Sequence, residues 1–228
     1  MKYLNYSTCL FILSLSLFAC KKSNNQPSVI ATNWGQDLKG TIWAGNFNYT
    51  TGTYQGPQPY SMELKDDGTI MWYDVTSERV GGTWTVKDST VTFTFPSNTS
   101  FHATASKDFW SHFTMDPSSG FLINSISRSA RPDPAMLAGA SYSGIEDGHP
   151  LKLSFSSPGA LGFYYGFLPG QSAPYTISGG GIRFIQPVDP LDTRFYLLVQ
   201  NNTMSLNGVY CIFNSDPKFY SSLTMTKN

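Results

Sequence analysis

Three histidines, His102, His112 and His149, are the side chains best suited to hold a metal or move a proton near neutral pH. They are scattered along the chain. None lies in a His-Glu-x-x-His or Cys-x-x-Cys pattern, so no zinc site is expected and the three read as surface or turn residues. Asp66-Asp67-Gly68-Thr69 brings two carboxylates together, which suggests calcium at first sight. The spacing of an EF-hand loop is absent, and Asp-Gly is the signature of a tight hairpin. Gly179-Gly180-Gly181 follows a strand-like run but opens no helical pattern, which a phosphate-cradling loop requires. There is no Gly-x-Ser-x-Gly elbow. Only a Ser/His/Asp group assembled from distant strands would escape such a search. The expectation is therefore no catalytic residue, no metal and no cofactor, and a protein that is not an enzyme.

The aromatic side chains are the remaining chemical lead. Trp72 and Tyr73 are adjacent and so point to opposite faces of a strand. In the run from Leu161, Phe163 and Tyr165 share a face while Tyr164 lies opposite. Trp72, Tyr73, Trp110 and Tyr164 are the candidate ligand-binding residues. Ordinary core packing is the competing reading for each of them, and the bound class would be a small lipid or sugar.

The elements that must carry these residues are set by composition and period. The chain of 228 residues has 15 Lys+Arg against 15 Asp+Glu. A net charge of zero offers no electrostatic footprint for nucleic acid. Charged residues are 13% and aromatics 15%, and 20 Gly and 14 Pro punctuate the runs, a composition that favours strands and turns. Thr90 to Phe95 alternates, with Val91, Phe93 and Phe95 on one face and Thr on the other. Leu151, Leu153 and Phe155 alternate with Lys152 and Ser154. Asp67-Gly68, Gly81-Gly82, Asp116-Pro117 and Gly179 to Gly181 mark turns between such runs.

The body contains the same pattern twice. Leu38-Lys39-Gly40-Thr41-Ile42-Trp43-Ala44-Gly45 matches Leu137-Ala138-Gly139-Ala140-Ser141-Tyr142-Ser143-Gly144. Met62 to Gly68 matches Leu151 to Gly159, Trp84 to Phe93 matches Tyr175 to Phe184, and Phe121 to Arg128 matches Tyr220 to Lys227. Order is kept across all four blocks. Each copy predicts about eight short strands, close enough in sequence to be antiparallel neighbours. The expected fold is all-β: two tandem antiparallel up-and-down barrels, with aligned β-sandwiches as the alternative. Residues 35–130 form the first domain, 131–136 the linker and 137–228 the second domain.

The front of the chain has a different character. Lys2, then the apolar run Cys9 to Phe18, has the layout of a secretory signal and is shorter than the roughly 20 residues that span a bilayer. Leu17-Phe18-Ala19-Cys20 resembles the lipobox of bacterial lipoproteins. That resemblance implies cleavage after residue 19 and lipidation of Cys20, with Lys21 favouring the outer membrane. Residues 20–34 then read as the lipidated Cys and a polar tether. Each buried methylene contributes about 0.8 kcal/mol, so two or three acyl chains such as palmitate hold a protein on a membrane. Cys211, the lone cysteine of the mature chain, sits in Val-Tyr-Cys-Ile-Phe and reads as a small buried hydrophobe.

The first copy also resembles the lipocalin-like domains of bacterial lipoproteins, through Gly40-Thr41-Ile42-Trp43, Leu64-Lys65-Asp66-Asp67-Gly68-Thr69 and Gly82-Thr83-Trp84-Thr85-Val86. Its Gly-x-x-Trp spacing departs from the family's Gly-x-Trp, and the second copy has Tyr142 in place of the Trp. The resemblance implies an eight-stranded barrel that holds one small ligand or is filled by side chains. The functional expectation is a membrane-anchored, non-enzymatic protein that binds a small apolar or amphipathic ligand. The alternative is a structural module of the cell envelope that contacts protein or glycan.

Overall fold

The computed structural model describes residues 32–228 except 51–55, 77, 97–98, 117–119, 147, 167–168, 187–191, 201–204 and 213–218. The expected signal segment, Cys20 and nearly all of the tether lie outside the described residues. Residues 33–228 form one compact unit.

Within that unit the strands build two antiparallel sheets of eight. The first contains β1 (Ile42–Tyr49), β2 (Gln58–Leu64), β3 (Thr69–Tyr73), β4 (Glu78–Lys87), β5 (Thr90–Thr94), β6 (Ser100–Ala105), β7 (Trp110–Met115) and β8 (Phe121–Ser129). Each strand pairs with its sequence neighbour up to β7, and β1 also pairs with β8. Among the described residues, the seam between β7 and β8 is bridged by Phe109 with Ser127 and by Arg128 N–H donating to Asp108 O at 2.8 Å. Farther along the seam, Ile123 N–H donates to the Met115 thioether at 3.0 Å. The first barrel is thus nearly closed.

The second barrel is complete. It contains β9 (Ser141–Glu146), β10 (His149–Ser157), β11 (Ala160–Tyr165), β12 (Gln171–Ser178), β13 (Gly181–Ile185), β14 (Thr193–Gln200), β15 (Ser205–Ile212) and β16 (Phe219–Lys227). Pairing of β16 with β9 through Met225 and Gly144 closes the ring. The architecture is the tandem barrel expected from the repeat and not the sandwich alternative.

The repeat holds at the level of hydrogen bonds. Each barrel opens with one helical turn, α1 (Trp34–Asp37) and α2 (Pro134–Leu137). Leu38 and Leu137, just at the end of these turns, are buried in the two cores. Gly40 N–H donates to Leu64 O at 2.7 Å, and Gly139 N–H donates to Phe155 O at 2.6 Å. Gly68 and Gly159 turn the matching hairpins with φ 83° and 82°, where only glycine is unstrained. Gly45 and Gly144 face the closing strands, and a Cβ at either would run into the carbonyl of Ser125 or Thr224. Trp43 and Tyr142, the matched aromatics, are both fully buried.

The period-two alternation sends one face of each strand inward. Val91 and Phe93 are buried, as are Leu151, Leu153 and Phe155. Burying such side chains contributes about 1.5–3 kcal/mol each. One element differs from its sequence reading. Gly81-Gly82 is not a turn but lies inside β4, at a register shift opposite Ile70 and Met71. The reason is contact on both sides. A Cβ on Gly81 would come within 2.8 Å of the Trp72 Cβ, and one on Gly82 would strike the Thr94 carbonyl.

The barrels meet through a third apolar cluster: Ala44, Tyr73, Val75, Tyr196, Leu198, Val209 and Cys211. Cys211 is fully buried there with a free thiol. The β12–β13 turn presses against β2 and β3. Gly180 N–H donates to Ser61 Oγ at 3.0 Å, and Ser61 Oγ and the Tyr196 hydroxyl share a hydrogen bond of 2.5 Å.

Candidate functional site

The four aromatic candidates occupy three different environments. Trp72 and Trp110 face the interior of the first barrel, each 4% exposed. Trp110 lies 4.6 Å from Trp43 between ring centroids, and its Nε1 has no hydrogen-bond partner among the described residues. Tyr73, on the opposite face of β3, is buried between the barrels, where its hydroxyl donates to Glu63 Oε2 at 3.2 Å. Burial raises its pKa. Tyr164 is on the outside of the second barrel, with Lys152 Nζ 5.8 Å from its ring centre.

Of these, Trp72 lines a cavity. At the end of the first barrel away from α1, Phe47, Tyr49, Trp72, Phe95 and Phe121 wall a pocket of about 270 Å³. The rings brace one another. Trp72 stacks on Tyr60 at 4.3 Å, and Phe47 meets Tyr60, Trp72 and Phe121 edge-on at 5.8–6.0 Å. Phe95 meets Phe121 edge-on at 5.2 Å. Such geometries suit the ring quadrupoles and hold the wall in place. Their positions follow from period and pairing: β1 points Phe47 and Tyr49 inward, and β8 pairs Phe121 with Tyr49.

Three polar groups stand at this end. Asp74 is buried and accepts from Trp72 Nε1 at 2.8 Å, Thr76 N–H at 2.7 Å and Thr76 Oγ1 at 2.5 Å. Arg79, paired with Trp72 across β3–β4, leaves its guanidinium 3.8 Å from Asp74 and half exposed. The Tyr49 phenol is pushed up by burial and by the Asp74 charge, so it remains protonated at neutral pH and can donate. Gln58, which sequence reasoning passed over, lies directly across from Phe47 on the inward face of β2. It is fully buried, and both amide atoms lack partners among the described residues. Its signal was a polar residue in register with Tyr60, Met62 and Leu64.

In the second barrel Leu151, Leu153, Phe155, Phe163, Phe184 and Phe195 belong to one continuous cluster, and Phe184 and Phe195 also line a pocket of about 460 Å³ with Pro174, Thr176, Arg183 and Arg194. Outside, a groove of about 660 Å³ runs between the barrels, lined by Ser127, Arg128, Arg131, Met136, Leu198 and Gln200 among others.

The motifs that first suggested ions have structural roles. Asp67 Oδ1 accepts from Thr69 N–H at 2.9 Å and Thr69 Oγ1 at 2.6 Å, which locks the β2–β3 turn. The Gly179 to Gly181 run is the turn that docks the second barrel on the first. His102, His112 and His149 lie on exposed positions of β6, β7 and β10.

No family model matches the chain, and no curated protein matches it. Among solved structures, the chain is similar to a protein of unknown function from the DUF3598 family of Nostoc punctiforme. The two are 14% identical, with a TM-score of 0.24, over 86% of this chain and 98% of that one. The fold assignment rests on the strand pairing above.

Proposed function

We propose that this is a lipid-anchored envelope protein whose first barrel binds one small apolar or amphipathic ligand at its open end, without catalysing a reaction. The observation that carries the binding reading is the aromatic-walled pocket of about 270 Å³ at the end of the first barrel. Ligand sites are concave, mostly apolar and marked by a few polar groups. At just under the roughly 300–1,000 Å³ usual for drug-sized molecules, this pocket suits a smaller one. The Asp74 oxygens are committed to Trp72 and Thr76, which favours a structural acid over a general base.

The anchor rests on the lipobox resemblance at Cys20. Cys20→Ser is expected to abolish labelling by a fatty-acid analogue in cells; unchanged labelling would remove the anchor from the proposal. The binding reading is tested by native mass spectrometry of protein released from its own envelope. A reproducible extra mass that disappears on denaturation is the expected result.

A second reading, an interaction module that contacts protein or glycan, draws on the inter-barrel groove with Arg128, Met136 and Gln200. A bare chain mass, together with a specific envelope crosslink at those residues, would favour it.

A further inference from the structure

The aromatic wall explains the affinity of the pocket for an apolar body but not the polar groups set around it. Arg79 has five N–H donors, and its ion-pair partner among the described residues, Asp74, is at 3.8 Å, too far for a hydrogen bond. Asp74 is already satisfied by Trp72 and Thr76. The guanidinium therefore has a fork of donors to spare at the pocket rim. The Tyr49 hydroxyl, in the same pocket lining, adds a further donor.

We propose that the pocket selects small anionic amphiphiles: a flat apolar body among Phe47, Trp72, Phe95 and Phe121, with a carboxylate held by the Arg79 fork. This rests on the reading of the open end as a ligand site and adds the class of ligand. The planar guanidinium matches a carboxylate in a way that an ammonium does not. The same donors leave a cationic head without a partner, because Asp74, the one acid among the described lining residues, is spent on Trp72 and Thr76.

The test uses a matched pair of probes, 2-naphthoate and 2-naphthamide, titrated into the full mature chain by calorimetry. They share a body and differ in head-group charge. Naphthoate is expected to bind at least about tenfold more tightly, an advantage that falls with added salt. Arg79→Gln should erase that preference while the amide binds as before. Arg79→Lys, which keeps the charge and serves as the folding control, should retain only part of it. Equal binding of the two probes would overturn the anionic preference and leave the pocket reading standing. Binding of neither probe would overturn both.

Discussion

Trp72 combines the two demands that the pocket makes on a single residue. Its ring stacks on Tyr60 and forms the wall, and its Nε1 supplies a hydrogen bond to buried Asp74. Trp72→Ala should cost about 3–5 kcal/mol from lost packing and the cavity it leaves. Trp72→Phe keeps most of the ring and strands an acceptor, so about 1–3 kcal/mol is expected. Urea denaturation of the two variants checks the order; an unchanged stability in Trp72→Phe would mean that the Asp74 bond contributes nothing. Glu63 carries a pH dependence at the same scale. Partial burial pushes its carboxyl up, but the hydrogen bond and charge of Lys65, at 2.8 Å, and the charge of Arg131, at 2.8 Å, outweigh that and lower it. Its contribution is therefore full above the ordinary carboxyl pKa of about 4.3 and is lost as pH falls through the depressed folded value. Acid titration of wild type and Glu63→Gln should show the wild-type curve falling more steeply below that pH.

The elements show how one repeat was fitted to two jobs. In the first barrel the β4–β5 turn is Lys87-Asp88-Ser89-Thr90, with Asp88 at φ 55° and exposed. In the second barrel the matching turn is Ser178-Gly179-Gly180-Gly181, with Gly179 at φ 58° and buried. The backbone shape is the same and the surroundings are not. A Cβ on Gly179 would lie 2.6 Å from the Tyr73 ring in addition to straining the left-handed backbone. Gly179→Ala is expected to loosen the docking of the barrels while each core persists. Hydrogen exchange should show faster exchange at Gly180 N–H, which donates to Ser61, and little change at Phe155 or Val91. Uniform loss of protection across both barrels would contradict that division.

At the scale of the whole molecule, the docking interface makes two barrels into one compact unit. Tyr196 is its polar centre. Its hydroxyl donates to Ser178 O at 3.1 Å and shares a bond with Ser61 from the other barrel. Burial pushes its pKa up, and burial does the same to Tyr60 in the first core. A raised folded pKa means that stability is fully present below the ordinary tyrosine value of about 10 and is lost as pH rises above it. The unfolded chain ionises there while the folded phenols stay neutral. Alkaline titration should show some tyrosines ionising normally and a late group that appears only with unfolding. In Tyr196→Phe that late group should shrink, and an absence of any late group would show that these hydroxyls reach solvent.

The linear chain determined the strands, the repeat and the order of neighbours, because side-chain alternation and turn residues act over a few positions. It marked Trp72 and Tyr73 as pointing opposite ways, and so they do. Period alone identifies the two faces of a strand but not what lies against each of them. Tertiary structure decided that the Tyr73 face meets a second barrel, while the Trp72 face meets a pocket. Gly81-Gly82 misled for the same reason. Glycine signals either a turn or a close approach, and the approach of Trp72 and Thr94 comes from strands that fold back from elsewhere in the chain. Gln58, Arg79 and Asp74 carry no motif at all. Arg79 and Asp74 become part of a candidate site only because barrel closure brings the ends of β1, β3, β4, β5 and β8 to one rim, an arrangement set by long-range pairing that local sequence does not encode.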